Sequence, residues 1–157
     1  MTFAKQLPGA VEPLTCDDIH AAAERIKDHV LATPCTHSEP LSEHTGLEVY
    51  CKQEYLQRTG SFKERGAVHA LMLLSGEQKR RGVITASAGN HAWALSCHGS
   101  RFGIAVMVVM PRFAPLTKLS NCRRQGAQVV LHGDNLEEAC AYATQLGQER
   151  GWRYVSG

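Results

Sequence analysis

Ile19, Ala22, Ala23, Ile26 and Val30 recur at the spacing of one helix face, behind an acidic pair, Asp17-Asp18, suited to a helix start. Thr33-Pro34 closes that helix, because the residue before proline is pushed out of the helical region. Residues 1–15 hold Pro8, Gly9 and Pro13 and read as an irregular lead-in, while Leu41–Thr45 suggests one short turn ended by Gly46. From there the pattern alternates. Strands are predicted over Leu47–Lys52, Gly82–Ala86, Ile104–Met110, Gln128–Leu131 and Arg153–Val155. Helices are predicted over Glu64–Leu74, Gly89–Ser100, Ala114–Arg124 and Leu136–Arg150. Strands alternating with helices of this length imply right-handed βαβ crossovers and parallel pairing, so the fold class is α/β, an open twisted parallel sheet with flanking helices. Met107, Val108, Val109 and Met110 are candidate core, and Gly126 is the expected stop of the helix before Gln128.

Composition narrows the function classes. The chain has 157 residues, 43% of them apolar and 20% charged, the make-up of an ordinary globular protein. Net charge is +2, and the tight basic groups, Lys79-Arg80-Arg81 and Arg123-Arg124, sit where helices present solvated faces. Nucleic-acid binding needs a denser basic stripe, so no nucleic acid is expected as partner. No apolar run approaches the ~20 residues needed to cross a bilayer, so no membrane partner is expected. Met1–Leu14 lacks the pattern of a signal peptide. Cys16, Cys35, Cys51, Cys97, Cys122 and Cys140 are scattered, without C-x-x-C pairs or histidines at metal-ligand spacing. Free thiols in a reducing cytoplasm and no metal are the expectation.

Two strand–helix junctions carry candidate chemistry, since open parallel sheets collect ligands at the carboxyl ends of their strands. In Thr59-Gly60-Ser61-Phe62-Lys63-Glu64-Arg65-Gly66-Ala67, Ser61 and Glu64 have capping-box spacing, which makes Ser61 the expected N-cap. Lys63 then lies in the first turn, where the positive end of the helix dipole disfavours an ammonium group. That suits a lysine that must attack an aldehyde as the neutral amine, although a surface lysine near a cap satisfies the same pattern. In Ile84-Thr85-Ala86-Ser87-Ala88-Gly89-Asn90-His91-Ala92, small residues turn the chain from strand to helix. Free N–H groups at such a turn suit a carboxylate or phosphate, and a plain capped turn is the alternative. Neither a dinucleotide nor an NTP glycine motif occurs, and Cys97-His98 face different sides of a helix, which argues against a catalytic dyad.

The segment Tyr55–Ala67 resembles the cofactor-lysine segment of threonine dehydratases (threonine ammonia-lyases), pyridoxal-phosphate enzymes of the tryptophan synthase β-like fold, fold type II. Gly82–Ala92 resembles their substrate-carboxylate loop, and Val109-Met110-Pro111 and Gly126–Asn135 are similar to later family segments. The resemblance runs from about Asp17 to the end. It implies pyridoxal 5'-phosphate as cofactor and Lys63 as the catalytic Schiff-base lysine that also moves the Cα proton. It implies Phe62 beside the cofactor ring, Ser87, Ala88, Gly89, Asn90 and His91 around the substrate carboxylate, and Asn90 reaching the cofactor's 3-oxygen. The implied reaction is dehydration and deamination of L-threonine, or of L-serine, to 2-oxobutanoate or pyruvate and ammonia, in isoleucine biosynthesis or threonine catabolism.

Racemases of this fold carry serine at the position of Ala88, so alanine points to dehydration. Trp93 stands where the family carries glutamine. The resemblance further implies a homo-oligomer at full length, with residues 1–81 the N-terminal part of a large cofactor-binding domain and 82–157 a small α/β domain. The chain holds no Gly-Gly dipeptide, so the family's glycine-rich phosphate loop is missing. It therefore reads as an N-terminal portion, expected to be inactive alone. Threonine synthase or serine racemase-like activity is the enzymatic alternative. A truncated, non-catalytic fragment binding small anions or a partner is the other.

Overall fold

The computed structural model describes residues 13–157, so most of the predicted lead-in lies outside the described residues. Helix α1 spans Cys16–Ile26, and Thr15 rather than an aspartate is its N-cap, closing a capping box with Asp18. The helix stops before Val30. The side-chain amide of Gln57 bonds both the N–H and the C=O of Leu31 at 3.0 Å and draws the chain out of the helical path.

A short strand, β1 (Cys35–His37), then pairs antiparallel with β2 (Tyr50–Lys52) across helix α2 (Glu39–Thr45). The sequence pattern did not predict β1 and suggested parallel pairing throughout. Three exposed residues carry no alternation to read, and the pairing is fixed from outside the strand by Ser42, whose Oγ meets both Val49 N–H and His37 Nε2. A 3₁₀ turn over Glu54–Leu56 leads to α3 (Lys63–Met72) and α4 (Gly76–Arg81). Helix α4 was also unforeseen, although its capping box, Ser75 with Gln78, is written in the sequence.

The remaining elements follow the predicted alternation: β3 (Val83–Ala86), α5 (Asn90–Arg101), β4 (Val106–Met110), α6 (Leu116–Arg124), β5 (Gln128–Leu131), α7 (Leu136–Arg150) and β6 (Arg153–Tyr154). The four strands form one parallel sheet in the order β5-β4-β3-β6. Every residue of β3 and β4 is buried, because helices cover both faces. Val83, Val106, Val108 and Met110 pack with Leu71, Leu95, Leu119 and Cys122 from α3, α5 and α6. Ile84, Ala86, Met107 and Val109, pointing the other way, pack with Ala139 and Ala143 of α7. Gly126, at φ +80°, ends α6 as expected. All six cysteines are free thiols, and among the described residues no helix is long and apolar enough to cross a membrane.

The segment before α3 is tied to it by charge. Arg65 grips the Glu54 carboxylate with two hydrogen bonds of 2.7 and 2.9 Å, and Thr33 Oγ1 donates a third. Chiefly through the Arg65 bonds, and against partial burial, the Glu54 carboxyl is held down from 4.5 to about 2. A carboxyl depressed by folding stabilises the fold above its unfolded value and loses that contribution as pH falls through its folded value. Stability should therefore drop between pH 4.5 and about 2 on this account. In urea melts across that window, Glu54→Gln should flatten the slope relative to the parent chain. An unchanged slope would show that other carboxyls govern the acid limb.

Candidate active site

Strand order decides where a ligand can sit. From β3 the chain steps to β4 and β5 in one direction, then α7 carries it back across the opposite face to β6 on the other side of β3. The carboxyl ends of β3 and β6 thus flank a topological switch point, where helices on opposite faces diverge and leave a crevice. A cleft of about 470 Å³ opens there. Ala86 and Tyr154, the last residues of the two strands, form its floor with Ser156 and Gly157. Leu136 and Cys140 of α7 form one wall, and Lys63, Ser87, Asn90 and His91 the other.

Of the residues singled out in the sequence, the cleft brings together Lys63, Ser87, Asn90 and His91; Phe62, Ala88 and Gly89 lie outside its lining. Lys63 is the first residue of α3, and its Nζ stands 5.4 Å from the centre of the Phe62 ring, which is 61% exposed. The ammonium group so placed rests over an aromatic face at the positive end of a helix. After β3, the Ser87 hydroxyl accepts the Gly89 N–H at 3.2 Å, shaping the turn, and α5 begins at Asn90. The first N–H groups of α5 have no carbonyl partner within their own helix, and the helix's first two residues, Asn90 and His91, line the cleft.

His91 is buried, with Nε2 3.3 Å from the Val155 carbonyl. Burial pushes its imidazole down, the Val155 bond opposes this, and the positive charge of Lys63 adds to the fall. The neutral ring therefore donates Nε2–H to Val155 and ties the start of α5 to the chain leaving β6. Burial, reinforced by the Cys140 thiol 3.7 Å away, pushes the Tyr154 phenol up and keeps it protonated.

Three features were not visible in the sequence. Lys118 of α6 donates to Asn90 Oδ1 at 3.0 Å, so the Asn90 amide turns its own N–H₂ away from that cation. Tyr154 and Cys140 join the site only because β6 lies beside β3, which no local pattern records.

The third is a correction. Ser61 does not cap α3; Phe62 occupies the N-cap position, and the Ser61 hydroxyl is buried without a partner among the described residues. Glu64, expected to close a capping box, instead accepts the Thr59 N–H and the Nε2–H of His98 at 2.9 Å. Both Glu64 and His98 side chains are 0% exposed. Burial raises the Glu64 carboxyl, but the bonds from His98 and Thr59 outweigh it and hold the group below its ordinary value. His98 Nδ1 has no partner among the described residues, and Nε2 carries the proton that the ring donates to Glu64.

A primary amine, a run of helix-start N–H groups and a protonated phenol around one cleft fit a phosphorylated aldehyde cofactor and an amino-acid carboxylate better than a metal. Among the described residues no group of three or more His, Cys, Asp or Glu side chains is placed to hold a metal ion.

Comparison with known proteins bears on the same elements. The chain is 44% identical over 142 residues to an L-threonine ammonia-lyase of Thermotoga maritima, covering 90% of this chain and 35% of that protein. It is 40% identical over 143 residues to the catabolic L-threonine dehydratase of Escherichia coli K12, covering 91% and 44%. Among solved structures, serine racemase from Dictyostelium discoideum superposes with a TM-score of 0.81 at 36% identity, over 89% of this chain and 46% of that one. Processed threonine deaminase isoform 2 from Solanum lycopersicum gives 0.78 at 36% identity, over 90% and 43%. The chain spans less than half the length of each of these relatives. Residues 26–157 match the family described as pyridoxal-phosphate dependent enzymes, and the chain belongs to that family.

Proposed function

We propose that the intact protein dehydrates and deaminates L-threonine, and L-serine as a second substrate, releasing 2-oxobutanoate or pyruvate with ammonia. The observation that carries this reading is the joint presence of the Lys63 amine and the start of α5 on one cleft at the sheet's switch point. The names of the relatives from Thermotoga maritima and Escherichia coli support the substrate.

Lys63 would hold the cofactor covalently, Phe62 would pack beside its ring, and the Asn90 amide would face its 3-oxygen. When bound, pyridoxal phosphate supplies the electron sink that makes the substrate's Cα proton removable. The chain's own groups do the rest. Backbone N–H groups at Asn90 and His91, with the Ser87 hydroxyl, orient the substrate carboxylate, Gly89 shapes the turn that presents them, and the helix dipole favours the carboxylate's charge. Lys118 fixes the Asn90 amide through its Oδ1 and adds a cation at the rim of that pocket. The Lys63 amine would take the Cα proton and hand it to the departing β-hydroxyl, which would leave as water; hydrolysis of the released enamine consumes one water and gives the 2-oxo acid and ammonia.

The Dictyostelium structure raises racemisation as a second reading. A racemase needs a second proton carrier on the opposite face of Cα, and Ala88 has no hydroxyl to supply one. This favours elimination.

Two results test the proposal. The intact protein given L-threonine should release 2-oxobutanoate and ammonia in equal amounts, with no D-allo-threonine; dominant inversion at Cα would assign it to racemisation instead. Asn90→Ala should lower turnover about tenfold through misplaced substrate, in line with the sensitivity of positioned reactions. As the exposed first residue of α5 it should shift stability by no more than ~0.5 kcal/mol. Unchanged turnover would remove this loop from the carboxylate site.

A further inference from the structure

We propose that the buried Glu64–His98 pair is a positioning link, setting the first turn of α3, and with it Lys63, against the helix that begins at the Ser87–His91 loop. The inference rests on Lys63 being the cofactor lysine. Glu64 follows Lys63 directly in the first turn of α3, and His98 stands in the third turn of α5. The two side chains meet at 2.9 Å with no exposure to solvent. The second carboxylate oxygen of Glu64 takes the Thr59 N–H, so one side chain joins three pieces of backbone: the approach to α3, its first turn, and α5.

Packing alone does not explain this choice. An acid and an imidazole inside an otherwise apolar interface of Ala67, Leu71, Ala94 and Leu95 carry a desolvation cost that a Leu–Phe pair would avoid. What the pair adds is direction. Apolar contacts tolerate a slide or rotation of α3, whereas a charged hydrogen bond of fixed geometry at both carboxylate oxygens does not. The residue whose placement is thereby fixed is its neighbour, Lys63. Glu64 and His98 do not line the cleft themselves, so they act through α3 and α5.

The test uses the intact protein loaded with limiting pyridoxal phosphate. Borohydride reduction fixes the lysine-bound cofactor as a stable amine, and peptide mass spectrometry reads the labelled lysine and its yield. Thermal melts and hydrogen exchange of the α3 amides are followed in the cofactor-free protein. Glu64→Gln should keep the yield within about twofold. Its carbonyl still accepts from Thr59, and its amide donates to His98 once that ring moves its proton to Nδ1, a shift visible by nitrogen NMR. Glu64→Met and His98→Phe should each cut the Lys63 yield about tenfold or more, the scale set by an ångström of misplacement.

The double variant Glu64→Met/His98→Phe removes the buried polar groups together. It should regain much of the melting temperature lost in the single variants without regaining the yield, and its α3 amides should exchange faster than in the parent. A double variant with parental yield would overturn the proposal, leaving the pair a structural contact only. So would a tenfold loss in Glu64→Gln with the His98 proton moved to Nδ1, because both hydrogen bonds of the link are then kept. Label on a lysine other than Lys63 in the unmodified protein would instead refute the cofactor-lysine reading. The two failures are therefore distinct.

Discussion

Lys63→Ala in the intact protein should abolish the visible absorbance of lysine-bound cofactor and lower 2-oxobutanoate release at least about 10³-fold, within the 10²–10⁴ range for losing a positioned acid–base group. The effect is large because one amine has two tasks, covalent attachment of the cofactor and handling of the Cα proton. Fold loss cannot account for it. Lys63 opens α3 at the positive end of the helix, so alanine removes an unfavourable charge and improves helix propensity. The melting temperature should hold or rise while turnover disappears. Persistence of the absorbance in the variant would assign the cofactor to another lysine.

Gly99→Ala should destabilise the protein by about 1–3 kcal/mol, the usual cost of overpacking a filled core. Helix propensity predicts the opposite sign, since alanine inside a helix is favoured over glycine by about 0.5–1 kcal/mol. Geometry decides between them. A Cβ on Gly99 would lie 2.2 Å from Val106 Cγ2, on the strand that α5 packs against, and 3.2 Å from the carbonyl of Ile104, in the connection that leads into that strand. Val106 is 5% exposed, and its γ-methyl has no solvent to retreat into. Urea unfolding gives the sign directly: a variant more stable than the parent would mean that α5 and β4 can separate at low cost. Displacement of α5 would also move Asn90 and His91, so turnover should fall along with stability.

The α/β alternation was legible because β3 and β4 are buried on both faces and stand as apolar runs, interrupted by Thr85 alone, between helices with readable ends. Lys63 and the Ser87–His91 turn were legible as junctions for the same reason, and the family resemblance gave them roles. What escaped was set by partners far along the chain. Glu64 has the spacing of a cap, yet its carboxylate is engaged by His98 in another helix, and Ser61 is left without the bond the spacing suggested. His98 sits in an apolar stretch where a histidine gives no sign of its partner. The short strand β1 is defined by pairing with β2 and by Ser42 rather than by its own residues. The far wall of the cleft depends on α7 crossing to the second face, a choice made by the whole sheet.

The same crossing gives the protein a birth order. Val83 finds its partner in β6 at Arg153, 70 residues further along the chain. Ribosomes add roughly 5–20 residues per second, so β3 waits about 4–14 s from its own synthesis to the arrival of that neighbour. Through this interval Ile84 and Ala86 also lack α7, and the Gly82 and Ile84 carbonyls, which later accept from the Arg153 and Val155 N–H groups, stand on a bare strand edge. An open apolar edge of this kind templates pairing with other nascent chains. The timetable of synthesis, and not only the final free energy, thus decides when this sheet becomes safe from its neighbours on a crowded polysome.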